Sequence, residues 1–360
     1  MKFRWIRTAA ATAAAVLFLS LPVQAAPALS AQKAILMDAS SGRVLYEKNA
    51  DERSLIASTT KIMTALLICE QCNPADRVQI PREAVGIEGS SLYLREGEIL
   101  SVQELLYGLM LHSGNDAATA LAIYCGGNES AFVEMMNEKA GRLGLQDTHY
   151  ANPHGLDHDG NYSTARDLAK LTAYALENEA FYHAVSCKTV TFGSRSLRNH
   201  NKLLSLYEGA IGVKTGYTKA AGRILVSAAE RDGRRLIAVT LSAPDDWNDH
   251  IALLDYGFSC YRSAELVEEG TVLGTVPVTG GVRDQVPVKA AEGFSYPMME
   301  EETFSVEVQV APFVYAPVEA GLEAGAAVIR VGETVVGRVP LVYGETVEYR
   351  ERKSGFPFGG

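Results

Sequence analysis

Ser58 and Lys61 stand three residues apart in SLIASTTKIMTALL, where a polar segment gives way to the apolar residues Ile62, Met63, Leu66 and Leu67. A lysine at the edge of a core is costly unless its ammonium is paired or gives up its proton. A serine hydroxyl is a poor nucleophile near neutral pH and needs a base within hydrogen-bond reach. The pair therefore has two readings: an exposed lysine at a helix start with Ser58 near the N-cap, or a serine nucleophile with a lysine base. Spacing alone does not choose between them. The segment SAQK puts Ser30 and Lys33 at the same separation, and short motifs of this kind match by chance.

Two further segments bear on the choice. Ser113-Gly-Asn115 interrupts an apolar helical pattern, and Lys214-Thr-Gly216 lies in a strand-like stretch. Taken singly, the first could be an ordinary turn and the second a solvated strand end. In the order Ser-x-x-Lys, Ser-x-Asn, Lys-Thr-Gly, and in helix, turn and strand contexts, they match serine acyl-transfer enzymes. The chemistry accounts for the residue types. Positions i and i+3 share a helix face, so Lys61 can reach the Ser58 oxygen. Burial and a second cation at Lys214 both favour the neutral amine. Ser113 can pass a proton to a leaving amine, and Asn115 can hold a substrate peptide group. Lys214 and Thr215 offer a cation and a hydroxyl to a terminal carboxylate. Gly216 leaves room for a substrate lying alongside as an added strand. The backbone N–H groups of Ser58 and Tyr217 would form an oxyanion hole, which acts most strongly where water is excluded.

Other chemically suggestive residues have plainer readings. His154, Asp157, His158 and Asp159 in NPHGLDHDGNYST lie in a Gly-rich loop before a capped helix, without the i, i+4 His pair of a zinc protease. A structural loop near the site is the expectation, and no metal or organic cofactor is expected. His112 reads as a packed helix-end residue, and Arg231 to Arg235 as a charged hairpin turn. Five cysteines, Cys69, Cys72, Cys125, Cys187 and Cys260, leave at least one unpaired within the chain. Cys69 and Cys72 form a C-x-x-C after an apolar helix rather than after the strand of a redox motif. They are read as a local disulfide or as two inert thiols.

The elements that must position these groups follow from pattern. AILMDASSGRVLYEKNADE predicts two short strands around a Ser40-Ser41-Gly42 turn, followed by a helix carrying Ser58 and Lys61. SVQELLYGLMLHS is apolar at helical spacing, with Ser101 and Glu104 placed as a capping box. Further helices are predicted from Asp116, over Asn128 to Gly144, over Ser163 to Glu177 with a cap at Thr164 and Asp167, and from about Asp249 to Tyr256. RILVSAAE and RLIAVTLS predict a hairpin joined at Asp232-Gly233, beside the strand holding Val213 to Gly216. Beyond about Glu265 helix signals vanish, and alternating apolar stretches between Gly and Pro turns predict a small all-β domain. The expected fold is α+β, an antiparallel sheet flanked by helices plus an all-helical part, followed by a small β-rich domain. The expected division is a signal peptide over 1–25, a first domain over 31–262 and a C-terminal domain over 270–352.

The N-terminus supplies Lys2, Arg4 and Arg7, an apolar run to about Leu21, and a small-residue site at Val23-Gln24-Ala25. That order predicts a secretory signal peptide, so the protein is expected outside the cytoplasm, where disulfides are permitted. The formal net charge of −10 argues against nucleic acid as a partner. It is also a poor match to an anionic membrane surface.

On these residues the chain resembles the low-molecular-mass penicillin-binding proteins of the D-alanyl-D-alanine carboxypeptidase family. The likeness runs from about Ala34 to Tyr261, through ILMDASSGRVLYEKNAD, EGSSLYLREGE, LHSGNDAATALA, NHNKLL and GVKTGYTKAAGRILVSAAERDGRRLIAVTL. The β-rich remainder resembles the small C-terminal domain many members carry. The resemblance implies a β-lactamase/transpeptidase-like fold. It also implies Ser58 attack on a peptidoglycan stem peptide ending in D-Ala-D-Ala, release of D-alanine, and covalent inhibition by β-lactams. A class A β-lactamase would need a loop glutamate, and Thr148 to Arg166 contains none. Many members end in an amphipathic membrane helix, for which VEYRERKSGFPFGG is too short and too polar. The resemblance leaves a peripheral membrane or envelope partner to the C-terminal domain.

Overall fold

The computed structural model describes residues 26–351. The expected signal peptide lies outside the described residues.

Five strands form one antiparallel sheet: β1 (Lys33–Asp38), β2 (Val44–Lys48), β3 (Ala210–Thr218), β4 (Gly222–Arg231) and β5 (Arg234–Leu241), in the order β2-β1-β5-β4-β3. The apolar strands alternate between two cores, as the period of two requires. Ile35 and Met37 of β1 face a helical core, whereas Ala34 and Leu36 face a second core closed by Leu253 and Leu254. Those two leucines belong to α8 (Asp246–Cys260). Burial on both faces explains why β1, β4 and β5 read as nearly continuous apolar runs.

The helical core is built from α1 (Lys61–Gln71), α2 (Val102–Leu111), α3 (Asn115–Gly126), α4 (Glu129–Arg142), α5 (Ala165–Ala175) and α6 (Glu179–Ser186). A short α7 (Leu203–Leu206) precedes β3. The predicted starts correspond to real caps. Ser101 and Glu104 make the reciprocal capping box of α2, Asn128 caps α4 and Thr164 accepts from Asp167 N at the start of α5. Each such cap satisfies one or two of the first-turn N–H groups a helix leaves open.

The structure differs from the sequence reading at two places. Helix α1 begins at Lys61, and Ser58 sits in a single 3₁₀ turn, Ala57–Thr60, just before it. Pattern did not predict α6 or the hairpin of Thr189–Phe192 with Arg195–Arg198. Of the two readings of Cys69 and Cys72, the pair of thiols is the one observed, and no disulfide joins them.

After α8 the chain is all β. β6 (Arg262–Val267) pairs with β9 (Phe294–Met298). β7 (Val272–Thr279), β8 (Gln285–Ala290), β10 (Phe304–Val310), β11 (Val314–Tyr315), β12 (Glu323–Val331) and β13 (Thr334–Tyr343) form a six-stranded sheet in the order β10-β12-β13-β8-β7-β11. Val276, Val286, Val288, Ile329, Val339 and Leu341 fill a core of their own. Arg43, in the β1–β2 turn, reaches across to this block. Its guanidinium pairs with Glu302, donates to the carbonyl of Pro297 and lies 5.1 Å from the ring centres of Tyr261 and Tyr296.

Candidate active site

Three segments meet at one edge of the sheet. The 3₁₀ turn brings Ser58, the α2–α3 junction brings Ser113 and Asn115, and the edge strand β3 brings Lys214 to Tyr217. Ser58 lies outside the α-helix, yet it still faces Lys61, because side chains at i and i+3 eclipse in 3₁₀ geometry. Lys61 Nζ is 3.1 Å from Ser58 Oγ. Ala57 holds the turn at φ +44°, a left-handed conformation that a non-glycine residue rarely adopts.

Lys61 is fully buried and has three neighbours. Nζ donates to Asn115 Oδ1 at 2.6 Å and to the carbonyl of His154, and faces Ser58 Oγ. Two of these partners can only accept. A neutral amine has two hydrogens and one lone pair, so with both hydrogens committed the lone pair is left for Ser58. The electrostatics run the same way. Burial pushes the Lys61 pKa well below its ordinary value, the Lys214 cation adds to the effect, and Asp116 opposes it.

Ser113 is buried, at φ +63°. Lys214 Nζ donates to its Oγ at 3.0 Å and to the carbonyl of Thr215 at 2.9 Å. Lys214 is itself buried, which pushes its pKa down to about 7. Along β3, Lys214 points inward while Thr215 is partly exposed and Tyr217 is open to solvent. Gly216 lies against the Ser58 turn: a methyl group there would come within 3.4 Å of Ser58 N and 3.3 Å of Ile56 O. Ser58 N and the β3 edge are therefore close enough to flank one oxygen.

Asn115 Oδ1 accepts from Lys61 Nζ, and its Nδ2 donates to Glu88 O at 2.6 Å. One Nδ2 hydrogen is left for a substrate, and the rest of the side chain orients Lys61. Neighbouring residues reinforce this frame. Asp116 accepts from Ser91 Oγ and from the N–H groups of Leu92 and Leu94, fixing the segment beside Asn115. Thr64 Oγ1 donates to Pro153 O, and Asn161 Nδ2 to Thr60 Oγ1.

The His154 loop is part of the site through its backbone. Its carbonyl receives Lys61, while its ring, held neutral by burial and by Lys61 with a pKa near 4, accepts from Leu156 N. Gly155, at φ +88°, backs directly onto the Ser58 turn, where a Cβ would sit 1.9 Å from Ala57 O. Sequence reasoning placed this loop near the site but missed the lysine contact, since a backbone acceptor has no residue-type signature. Asp157 and Asp159 do not join His154 and His158 around a common point: among the described residues no group of three His, Cys, Asp or Glu is arranged to hold a metal ion. The decoy pair separates, Ser30 bonding Asp249 and Lys33 bonding Ser54 and Arg53.

Comparison with known proteins agrees with this geometry. Residues 22–245 match the D-alanyl-D-alanine carboxypeptidase family, and residues 261–349 match the C-terminal domain of penicillin-binding protein 5. The chain is 33% identical over 346 residues to the Bacillus subtilis (strain 168) D-alanyl-D-alanine carboxypeptidase DacF, covering 91% of this chain and 87% of that one. It is also 33% identical to the Escherichia coli (strain K12) D-alanyl-D-alanine carboxypeptidase DacC, covering 90% and 86% of the two chains. The solved penicillin-binding protein 5 of Haemophilus influenzae superposes with a TM-score of 0.77 at 29% identity, over 90% of this chain and 99% of that one.

Proposed function

Since the chain belongs to the D-alanyl-D-alanine carboxypeptidase family, we propose that Ser58 is its nucleophile, Lys61 its base and Ser113 its proton relay. The protein is a serine-type D-alanyl-D-alanine carboxypeptidase that acts on cell-wall peptidoglycan and binds β-lactams. In our reading, Ser58 Oγ attacks the carbonyl of the penultimate D-alanine as its proton moves to the Lys61 lone pair. Negative charge on the carbonyl oxygen is taken by the N–H groups of Ser58 and Tyr217. Ser113 gives its proton to the departing amine and is reprotonated by Lys61, which returns to the neutral amine, while Lys214 stays charged and orients the Ser113 hydroxyl; free D-alanine leaves. Water then attacks the acyl ester, with Lys61 again accepting a proton, and Ser58 is restored. Thr215 and the positive charge of Lys214 face the substrate carboxylate, and Gly216 lets the peptide lie along the β3 edge.

The observation that carries this reading is the bonding of Lys61: two fixed acceptors and one serine around a buried amine. A non-catalytic scaffold has no use for it. A β-lactamase is disfavoured by the absence of a glutamate between Thr148 and Arg166 and by the C-terminal match. Fluorescent penicillin should label the wild type covalently and leave Ser58→Ala unlabelled, and wild type should release D-alanine from diacetyl-Lys-D-Ala-D-Ala. Rapid nitrocefin turnover without D-alanine release would reverse the choice.

The peptidoglycan substrate implies an extracytoplasmic location, and export through residues 1–25 is part of the proposal. So is a division into catalytic and C-terminal domains over 31–262 and 270–352, supported by the separate β core. No helix among the described residues is long and apolar enough to cross a membrane. We assign any envelope contact to the C-terminal block, where Phe313 and Tyr315 are exposed and meet edge-to-face.

A further inference from the structure

The three cysteines at the far ends of the site helices have a use that the acyl-transfer chemistry does not absorb. Cys72 is the C-cap of α1, and Cys125 is the next-to-last residue of α3. Their thiols are near enough to perturb each other, the pKa of Cys72 being pushed up and that of Cys125 down. An independent contact holds the same ends together: Tyr124 Oη, beside Cys125, donates to Asp76 Oδ2 at 2.9 Å, four residues past Cys72. Both cysteines are half-buried against the helical core, so a small thiol reagent can reach them.

We infer that Cys72 and Cys125 are the two halves of an oxidisable disulfide that joins the distal ends of α1 and α3 and braces the catalytic frame. Helix α1 starts at Lys61 and α3 starts at Asn115, and at those ends the helices are tied by the Lys61–Asn115 hydrogen bond. A bond between Cys72 and Cys125 closes the other end of the same pair. It crosslinks 52 intervening residues, a span for which chain-entropy accounts give a substantial stabilisation.

The C-x-x-C spacing pointed to Cys69 as the partner of Cys72, and the fold redirects it. Cys69 is the more deeply buried, and burial together with Glu70 pushes its pKa up to about 12, so it is a poor nucleophile. Cys125 has its pKa lowered by the neighbouring Cys72 thiol, which suits it to attack first.

The oxidant is a disulfide of the exported compartment, either a small molecule such as oxidised glutathione or a protein disulfide. Cys125 S⁻ attacks one of its sulfurs, forming a mixed disulfide and expelling one thiolate. The Cys72 sulfur gives up its proton and attacks Cys125 Sγ, forming the internal bond and expelling the second thiolate. Two electrons pass from the cysteines to the oxidant, and the two protons end on the released thiols.

The test uses the purified full-length chain, reduced and then incubated with oxidised glutathione, acid-quenched, alkylated and mapped by mass spectrometry. The expected result is a linked peptide pair containing Cys72 and Cys125, with three cysteines alkylated. Cys69→Ser should retain the link, and Cys72→Ser and Cys125→Ser should lose it. Oxidation should raise the thermal midpoint of the wild type by about 5–10 °C and leave that of Cys125→Ser unmoved. Five alkylated cysteines after oxidation, or a Cys69–Cys72 link, would overturn the pairing. A Cys72–Cys125 link without a shift in midpoint would overturn the bracing role. Neither readout depends on carboxypeptidase activity, so a failure here leaves the assignment of Ser58 standing.

Discussion

Replacing Lys61 by methionine tests the site at its centre. The unbranched side chain keeps much of the volume of the lysine stem and removes only the amine, so the packing of the fully buried stem is retained. Three contacts are lost together: the one to Ser58 and those to Asn115 Oδ1 and His154 O. The last two leave buried acceptors unpaired, at about 1–3 kcal/mol each. That loss is offset by no longer burying an amine, so the variant should fold with a modest fall in stability. Acylation has no such compensation. A positioned base typically contributes 10²–10⁴-fold, or about 3–5 kcal/mol of barrier at 1.36 kcal/mol per tenfold. The second-order rate of labelling by fluorescent penicillin should therefore fall by about a thousandfold, while circular dichroism and thermal melting still report a folded protein. A folded Lys61→Met variant that labels within tenfold of wild type would refute the assignment of Lys61 as base, because no other described group is hydrogen-bonded to Ser58 Oγ through its side chain.

Three further outcomes follow from the same coordinates. Lys214 must stay charged to aid the relay, and its pKa is pushed down to about 7. kcat/KM should thus fall as pH rises through about 7, and Lys214→Arg, whose guanidinium does not titrate, should move that limb far to the alkaline side, whatever its effect on the maximum. His250 is buried between Ser227 and Thr240, and its pKa is held down to about 3 by burial. The unfolded chain binds that proton below about pH 6.5 and the folded one does not, so stability should drop as pH falls from about 6.5 toward 3, by roughly 4–5 kcal/mol in total. Urea titrations across this range check it, and His250→Gln should flatten the profile. Gly155→Ala places a methyl 1.9 Å from Ala57 O at a φ of +88°, so it should lower the melting temperature and cut penicillin labelling by at least tenfold by displacing the Ser58 turn. Normal labelling in that variant would mean that the turn does not rely on the loop behind it.

What was legible in the sequence were the features that side-chain type alone imposes. The alternation of Ile35 and Met37 with Ala34 and Leu36 announces a strand buried on both faces, and Ser101 with Glu104, or Thr164 with Asp167, marks a helix start because those oxygens have few other uses there. The chemistry was legible for a related reason: a lysine at Lys61 or Lys214 is too costly to bury without a function. What stayed hidden was carried by backbone or by distance. The His154 carbonyl could belong to any residue, and Glu88 O likewise. Nothing in Ser-Gly-Asn discloses that Lys61, 54 positions away, faces the Oδ1 of Asn115. The start of α1 moved from Ser58 to Lys61 because a 3₁₀ turn and an α-helix give the same i, i+3 pattern over four residues. The shift has a chemical consequence. An α-helical Ser58 would have its N–H directed along the helix axis as one of the first-turn donors, whereas the strained turn, with Ala57 at positive φ and Gly155 pressed behind it, holds that N–H against Gly216 of the β3 edge. The departure from a regular helix is thus what lets one residue supply both the nucleophile and one arm of the proposed oxyanion hole.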